Sequence, residues 1–326
     1  MTENVISGLV SIVVASYNHA EYLAQRMDSL IAQTYQDIEI IVIDDCSTDD
    51  SLQVLRRYEG DPRVRLIARE QNGGWVAVSN QGIELSRGEF VIFANCDDAC
   101  EPQLIEQLVL AMRSGDNVGI AFCRSWLVDK DNKILSDDLL SQQRAFQKRC
   151  AVDALIPGAE MGKYLLHSCV IPNLSAALIR RECFARVGVL SPDYRACSDW
   201  DLFFRVAEHF DFAYVSQPLN LFRQHETTIR SVMKERATYE EYFRVLLGNL
   251  RKLRLTLIER AQARMRVMSL WAVHLVSPST RGALNFPYHL GCVLSRDPAA
   301  LIFLFPSVVQ RVITIFAKLI VGRRSN

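Results

Sequence analysis

Through the first hundred positions the apolar residues come in short unbroken runs, each stopped by a polar cluster. Leu9-Val10-Ser11-Ile12-Val13-Val14-Ala15, rich in β-branched side chains, predicts a first strand that ends in Ser16-Tyr17-Asn18-His19. Over residues 21–34 the apolar positions change to 23, 27, 30 and 31, a helical spacing. A second strand, Ile38-Glu39-Ile40-Ile41-Val42-Ile43, runs into Asp44-Asp45, and a short helix is expected over 50–58. Residues 64–67 predict a third strand, Asn72-Gly73-Gly74 a loop, and residues 75–85 a helix. Phe90-Val91-Ile92-Phe93-Ala94 then reads as a buried strand leading into Asn95-Cys96-Asp97-Asp98. Such strand–helix alternation argues a parallel sheet with right-handed crossovers.

Beyond residue 100 the pattern is looser. Residues 117–123 predict a strand, 129–133 a polar turn, and a strand is expected within 167–177, with Asn173-Leu174-Ser175 near the active centre. Residues 136–160 show no clean periodicity and carry no functional assignment. Apolar residues at 203, 206, 207 and 210 predict a helix with Asp199 at its start and Asp201 in its first turn. Residues 235–275 read as helical, with Tyr242, Val245, Leu246 and Leu250 on one stripe, a pattern that usually marks a packing face. Residues 299–321 are apolar, but Pro306 interrupts them and Arg311 lies among them. A membrane span needs about 20 apolar residues. The segment is therefore expected as an amphipathic helix in the membrane interface, with packing on the protein or in a homo-oligomer as the alternative. The expected division is a catalytic domain over 1–230 and a helical region over 231–326.

Composition narrows the function classes. The chain has 37 basic and 37 acidic residues, so no global positive field recruits nucleic acid. Nine cysteines are scattered with no C-x-x-C pair, which argues against a zinc ribbon and for reduced thiols in the cytosol. The residues from Met1 show no basic and apolar leader pattern, so no signal peptide is expected.

Two predicted strands end in paired aspartates, 44–45 and 97–98. In one parallel sheet both pairs crowd the carboxyl edge, where open α/β folds bind ligands. Adjacent carboxylates need a positive partner, and a divalent metal on a phosphate supplies one. The plainer alternative is that Asp97 or Asp98 caps the segment starting near Glu101-Pro102. Neither G-x-G-x-x-G nor G-x-x-x-x-G-K follows the first strand, so phosphates would be held through metal on aspartate. For Asp199 and Asp201, capping of the helix N-terminus is likewise an alternative to catalysis.

Taken in order, Ser11-Ile12-Val13-Val14-Ala15-Ser16-Tyr17-Asn18, Ser29-Leu30-Ile31-Ala32-Gln33-Thr34-Tyr35, residues 41–49, Asn72-Gly73-Gly74, Gly88-Glu89-Phe90-Val91 and Asn95-Cys96-Asp97-Asp98 resemble the family 2 glycosyltransferases, over roughly the first 225 residues. The resemblance implies a GT-A fold: an α/β, Rossmann-like, mostly parallel sheet flanked by helices, here with a helical C-terminal region. Its nucleotide-sugar half would be about 1–100 and its acceptor half about 101–230. It also implies an inverting transfer from a nucleotide-sugar donor, with Mn²⁺ or Mg²⁺, to a saccharide or lipid-linked saccharide acceptor in surface polysaccharide synthesis. The enzyme would work peripherally on the inner face of the cell membrane.

Position by position, Ala15 and Tyr17 would meet the nucleotide, and Asp45 would read an imide N–H of a uracil-type base with Asp44 beside it. Asn72 and Gly73 would line the donor site. Asn95 and Asp97 fall on the family's D-x-D, so Asp97 would hold metal and Asp98 would support it or the ribose. Cys197-Ser198-Asp199-Trp200-Asp201-Leu202 resembles E-D-W-D-L with serine for glutamate, which makes Asp199 the base. Arg223 and His225 resemble R-x-H, for phosphate and for metal or diphosphate respectively. Asn95 in place of aspartate, and Ser79 where the family often has arginine, are departures. They motivate one rival, a catalytically silent nucleotide-sugar-binding protein, and the sheet type motivates a second, a nucleotidyltransferase.

Overall fold

A computed structural model describes residues 5–224, 235–276 and 282–322. The chain divides into two compact units, Met1–Glu226 and Thr227–Asn326.

The first unit opens with β1 (Ile6–Ser16), α1 (Ala20–Ile31), β2 (Ile38–Asp44), α2 (Ser51–Arg56), β3 (Val64–Ala68), α3 (Trp75–Leu85) and β4 (Gly88–Phe93). β1 pairs in parallel with β2 on one side and β4 on the other, and β2 pairs in parallel with β3. Alternation along the strands sorts their side chains. Val10, Ile12, Val14, Ile38, Ile40, Val42, Phe90 and Ile92 face the layer that holds Leu23, Met27 and Leu30 of α1. Ile41 and Ile43 face Val78 of α3 instead. α3 lies unusually close to β1: a Cβ built on Gly82 would stand 2.2 Å from Val13 Cγ1. Gly82 is therefore required by this contact.

The strand order β3-β2-β1-β4 places a reversal between β1 and β4. The chain winds outward from β1 through β2 to β3, then returns to add β4 on the other flank. At such a switch point the loops leave the carboxyl ends in opposite directions and open a crevice. Ser16 stands level with Asp44, and Val13 with Phe93, so both aspartate pairs emerge at that edge, on either side of the turn at Tyr17.

The second half of this unit contains β5 (Ala99–Cys100), α4 (Leu104–Met112), β6 (Val118–Val128), β7 (Ile134–Asp137), α5 (Arg144–Arg149), β8 (Ala154–Ile156), α6 (Gly158–Leu165), β9 (Ala177–Arg180), α7 (Arg181–Val187), α8 (Ser198–Ala207) and β10 (Asp211–Arg223). Here the sheet is mixed. β9 inserts antiparallel between β4 and β6, β6 and β10 pair in parallel, and β5 pairs antiparallel with β10 through Leu221↔Ala99 and Asn220↔Cys100. That last pairing brings the end of β10 to the loop after β4.

The second unit holds α9 (Glu235–Lys252), α10 (Leu257–Val276), α11 (Gly282–Arg296) and α12 (Leu304–Gly322). The expected stripe packs: Val245, Leu246 and Leu250 are buried, with Phe243, Met268 and Trp271 in the same interior. Pro306 does not interrupt α12. It lies in the first turn, where its missing N–H has no intrahelical partner to lose. Ile302, Phe305, Val309 and Ile313 are exposed, at spacings of three and four residues that align them on one side. Among the described residues no helix is long and apolar enough to cross a membrane.

Candidate active site

β2 delivers two aspartates that do different work. Asp44 ends the strand and is buried, accepting from Ser47 N at 3.0 Å, Ser47 Oγ at 2.6 Å and Ser16 Oγ at 3.3 Å. It closes its own turn. Asp45 reaches across to the loop after β3. Its carboxylate accepts from Arg69 Nη1 at 2.6 Å, Gly73 N at 2.9 Å and Gly74 N at 2.8 Å, and its carbonyl accepts from Asn72 Nδ2 at 3.3 Å. A Cβ on Gly73 would meet the Arg69 guanidinium at 2.5 Å and push that side chain off Asp45, and Gly74 is required by its φ of +82°. A carboxylate offers about four acceptor directions, so three strong donors leave capacity for one more. Tyr17 is exposed at the end of β1, one residue beyond the level of Asp44, and Ala15 is half-buried beside Ile43.

Across the crevice, Asn95-Cys96-Asp97-Asp98 follows β4. Asp98 is 1% exposed and faces inward. Its Oδ2 accepts from Asn173 Nδ2 and Ser175 Oγ, both at 2.7 Å, and from Asn95 Nδ2 at 3.3 Å; Oδ1 accepts from Arg223 N at 3.0 Å. Burial first, then the Asp97 charge, push its pKa up to about 7 against the opposing charge of Arg26. This corrects the expectation that Asp98 shares a metal: both oxygens are already directed at protein donors. Asp97 is the half-buried carboxylate of the pair.

Arg223 is also corrected. It is fully buried, with Nε donating to Asp97 O at 2.7 Å, Nη1 to Asp129 O and Lys130 O at 3.0 Å each, and Nη2 to Gln25 Oε1 and Asn132 Oδ1 at 2.8 Å each. Its guanidinium also lies over the Tyr22 ring, 4.8 Å from the centroid. All of its N–H groups serve protein acceptors, so it fastens the Asp97 loop to α1 and the 129–132 turn rather than presenting itself to a phosphate. His225 lies outside the described residues.

Asp199 stands in the first turn of α8, half-buried, with Oδ1 accepting from Trp200 N at 2.7 Å. Its neighbours are used structurally. Ser198 Oγ donates to Ser191 O at 2.9 Å, Trp200 Nε1 to Leu165 O at 3.1 Å, and Asp201 pairs with Arg205 at 2.8 Å. The segment leading into α8 is tied to α3. Asn80 Nδ2 donates to Leu190 O at 2.8 Å, Leu190 N returns to Asn80 Oδ1 at 3.1 Å, and Trp75 Nε1 donates to Arg195 O at 2.8 Å. Asp199 thus sits on a segment anchored beside the Asn72–Gly74 loop. Arg26, Arg69 and Trp75 were not singled out from sequence. Arg26 had a readable signal, since it occupies the stripe shared by Leu23, Met27 and Leu30 where an apolar residue belongs.

Among the described residues no three His, Cys, Asp or Glu side chains converge as a metal cage. The rim does offer hard oxygen atoms on Asp97 and Asn95, a donor set that suits Mg²⁺ or Mn²⁺ when diphosphate oxygens complete it. A hollow of about 360 Å³ lined by Ile83, Glu89, Arg180 and Phe184 lies at the opposite edge of the sheet, away from these carboxylates.

Comparison with known proteins gives a consistent result. The family described as glycosyl transferase family 2 matches residues 11–188. An uncharacterized glycosyltransferase of Rickettsia typhi is 30% identical over 78% of this chain and 75% of its own length. Among solved structures, S. aureus TarS 1-349 in complex with UDP-GlcNAc is similar with a TM-score of 0.68 at 16% identity, over 91% of this chain and 84% of that one. The mannosyltransferase PcManGT from Pyrobaculum calidifontis, in complex with GDP-Man and Mn²⁺, reaches a TM-score of 0.51 at 16% identity, over 93% and 86%.

Proposed function

This chain belongs to glycosyl transferase family 2 and is a glycosyltransferase of the GT-A type, and from that premise we propose that it is an inverting, metal-assisted enzyme moving a sugar from a UDP-sugar to a lipid-linked saccharide in surface polysaccharide synthesis. The observation that carries this reading is the reversal of strand order between β1 and β4, with Asp45 beyond one side of it, Asp97 beyond the other, and the Asp199 segment anchored to the loop beside Asp45. The UDP-GlcNAc bound to TarS supports a uracil-type base.

In this mechanism the remaining acceptor direction of the Asp45 carboxylate reads the imide N–H of the base, while Arg69 and the Gly73 and Gly74 amides hold that carboxylate in place. Tyr17 and Ala15 floor the nucleotide. Asp97 and Asn95 would hold the divalent ion, which when bound offsets charge on the departing nucleoside diphosphate. Asp199 takes the proton of the acceptor hydroxyl as the new C–O bond forms, because a neutral hydroxyl is a poor nucleophile. A base on the face opposite the leaving group gives one displacement, with inversion and no covalent intermediate.

The test is turnover of a panel of UDP-, GDP- and dTDP-sugars with Mn²⁺. Asp199→Asn should lower kcat by on the order of 10²–10⁴-fold while UDP binding persists. Wild-type binding of donor without turnover would favour the silent binding protein that Asn95 and Ser79 suggest, and release of pyrophosphate would favour a nucleotidyltransferase. For the membrane, exposed Phe305, Val309 and Ile313 on α12, with Ile302 in the 3-10 turn just before it, support docking of α12 in the interface, with the enzyme peripheral on the inner face. Phe305→Asp with Ile313→Asp should abolish co-sedimentation with anionic vesicles; unchanged sedimentation rejects that docking.

A further inference from the structure

In the helical unit, residues 253–256 turn the chain from α9 into α10. Thr256 and Glu259 cap the new helix reciprocally. Glu259 N donates to Thr256 Oγ1 at 3.2 Å, and Thr256 N donates back to Glu259 Oε2 at 2.8 Å. The cap sets where α10 begins, and Leu257 and Ile258 fill its first two positions. Neither packs on the protein: Leu257 is 87% exposed and Ile258 71%. Gln262 and Met265 are exposed at the spacing that aligns them with Ile258, and Ser269, next on that line, meets Ser307 of α12 at 3.3 Å. The exposed line that starts at the turn therefore runs on to α12. An apolar patch rimmed by polar residues marks an interaction site.

The charge around this patch has one sign. Residues 249–264 include five basic side chains and one acidic, Glu259, which is engaged in the cap. Arg260 donates to Leu250 O at 2.8 Å, and Arg264 pairs with Asp297 at 2.8 Å. The other three, Arg251, Lys252 and Arg254, are exposed, and among the described residues no carboxylate pairs with Arg251 or Arg254. Apolar side chains flanked by exposed cations complement a bilayer, whose apolar layer lies just beneath anionic headgroups. A second copy of the chain would set these cations against one another, which disfavours it as the occupant.

We propose that the turn between α9 and α10 is a bilayer contact in its own right, with Leu257 and Ile258 entering the interface and Arg251 and Arg254 holding anionic lipid headgroups. The proposal rests on the reading of the helical unit as one that meets a membrane, and adds to it a second set of residues and a class of lipid.

The experiment is flotation of the full chain with vesicles of phosphatidylcholine alone and of phosphatidylcholine mixed with phosphatidylglycerol. Wild type should favour the mixed vesicles. Arg251→Gln with Arg254→Gln should weaken binding to mixed vesicles roughly 25-fold, about fivefold for each cation, and leave binding to phosphatidylcholine unchanged. Leu257→Ser with Ile258→Ser should weaken binding to mixed vesicles on the order of 100-fold. All four positions are exposed, so unchanged Tm confirms that the variants fold. Ile258→Trp adds a local readout: its extra fluorescence should shift to the blue on mixed vesicles and be quenched by brominated lipid. If wild type binds vesicles and the Leu257 and Ile258 double variant binds equally well, the proposal is overturned while the membrane reading stands. It is also overturned if that variant keeps its vesicle binding and instead turns a dimer into a monomer in sedimentation velocity. If Phe305→Asp with Ile313→Asp leaves binding intact and Leu257→Ser with Ile258→Ser removes it, the turn is upheld and docking through α12 fails. If wild type floats with neither vesicle, the membrane reading itself fails and takes the proposal with it.

Discussion

Replacing Arg223 by lysine separates two roles that a conserved charge would otherwise blur. Lysine keeps the cation but offers three donors around one nitrogen, against five spread over a planar fork. In the structure that fork serves five acceptors on three segments: Asp97 O, Asp129 O, Lys130 O, Gln25 Oε1 and Asn132 Oδ1. At least two acceptors lose their partner in Arg223→Lys. Hydrogen bonds to a charged group contribute about 1.5–3 kcal/mol each, and the exposed 129–132 turn can turn to water for part of that loss. A cost of about 3 kcal/mol is expected, which for a unit of this size lowers Tm by about 6–12 °C. Differential scanning fluorimetry measures it, and calorimetry with UDP and Mn²⁺ measures the donor site in parallel. Donor affinity should fall only modestly, through a looser Asp97 loop. A variant with unchanged Tm and lost donor affinity would refute this reasoning, because it would mean that Arg223 touches the phosphate.

Two further outcomes are expected. Gly82→Ala should cost about 1–3 kcal/mol, since the new methyl overlaps Val13, and Val13→Ala in the same chain should recover part of the lost Tm; equal Tm for wild type and Gly82→Ala would contradict the contact. Asp138, buried and accepting from Ser125 N at 2.8 Å, has its pKa pushed up from 3.8 to about 6, chiefly by burial. The folded state then binds this proton more tightly than the unfolded one, so its contribution is most favourable below pH 4 and is lost as pH rises towards 6. Asp138→Asn should remove about 2–3 kcal/mol of that decline. Parallel Tm curves for the two proteins between pH 4 and 7 would rule it out.

The first four strands were legible because their apolar runs are long enough to set a period, and their polar ends marked the edge where ligands bind. What followed was not, for a physical reason. Residues 134–165 fold into pieces of three to eight residues, too short for either a two-residue or a 3.6-residue repeat to show. β9 is four residues long and owes its antiparallel place to neighbours far along the chain. At the edge of the sheet, the sequence offered candidate carboxylates but not their directions. Asp97 and Asp98 are equivalent on paper, and only the pairing of β5 with β10, which brings the Arg223 amide to Asp98, decides which one turns inward. The same holds for Arg223, where a basic residue near acidic ones looked like a ligand contact until its acceptors were visible. Pro306 misled in the other direction, since a proline in the first turn begins a helix as readily as it breaks one.

The clasp between α3 and the segment before α8 has a mechanical consequence. Parting Leu190 and Arg195 from Asn80 and Trp75 would break three hydrogen bonds at once. The segment that leads into Asp199 and the helix that follows the Asn72–Gly74 loop are therefore held together at three points. In the proposed reaction the base would then keep its distance from the nucleotide as the chain moves.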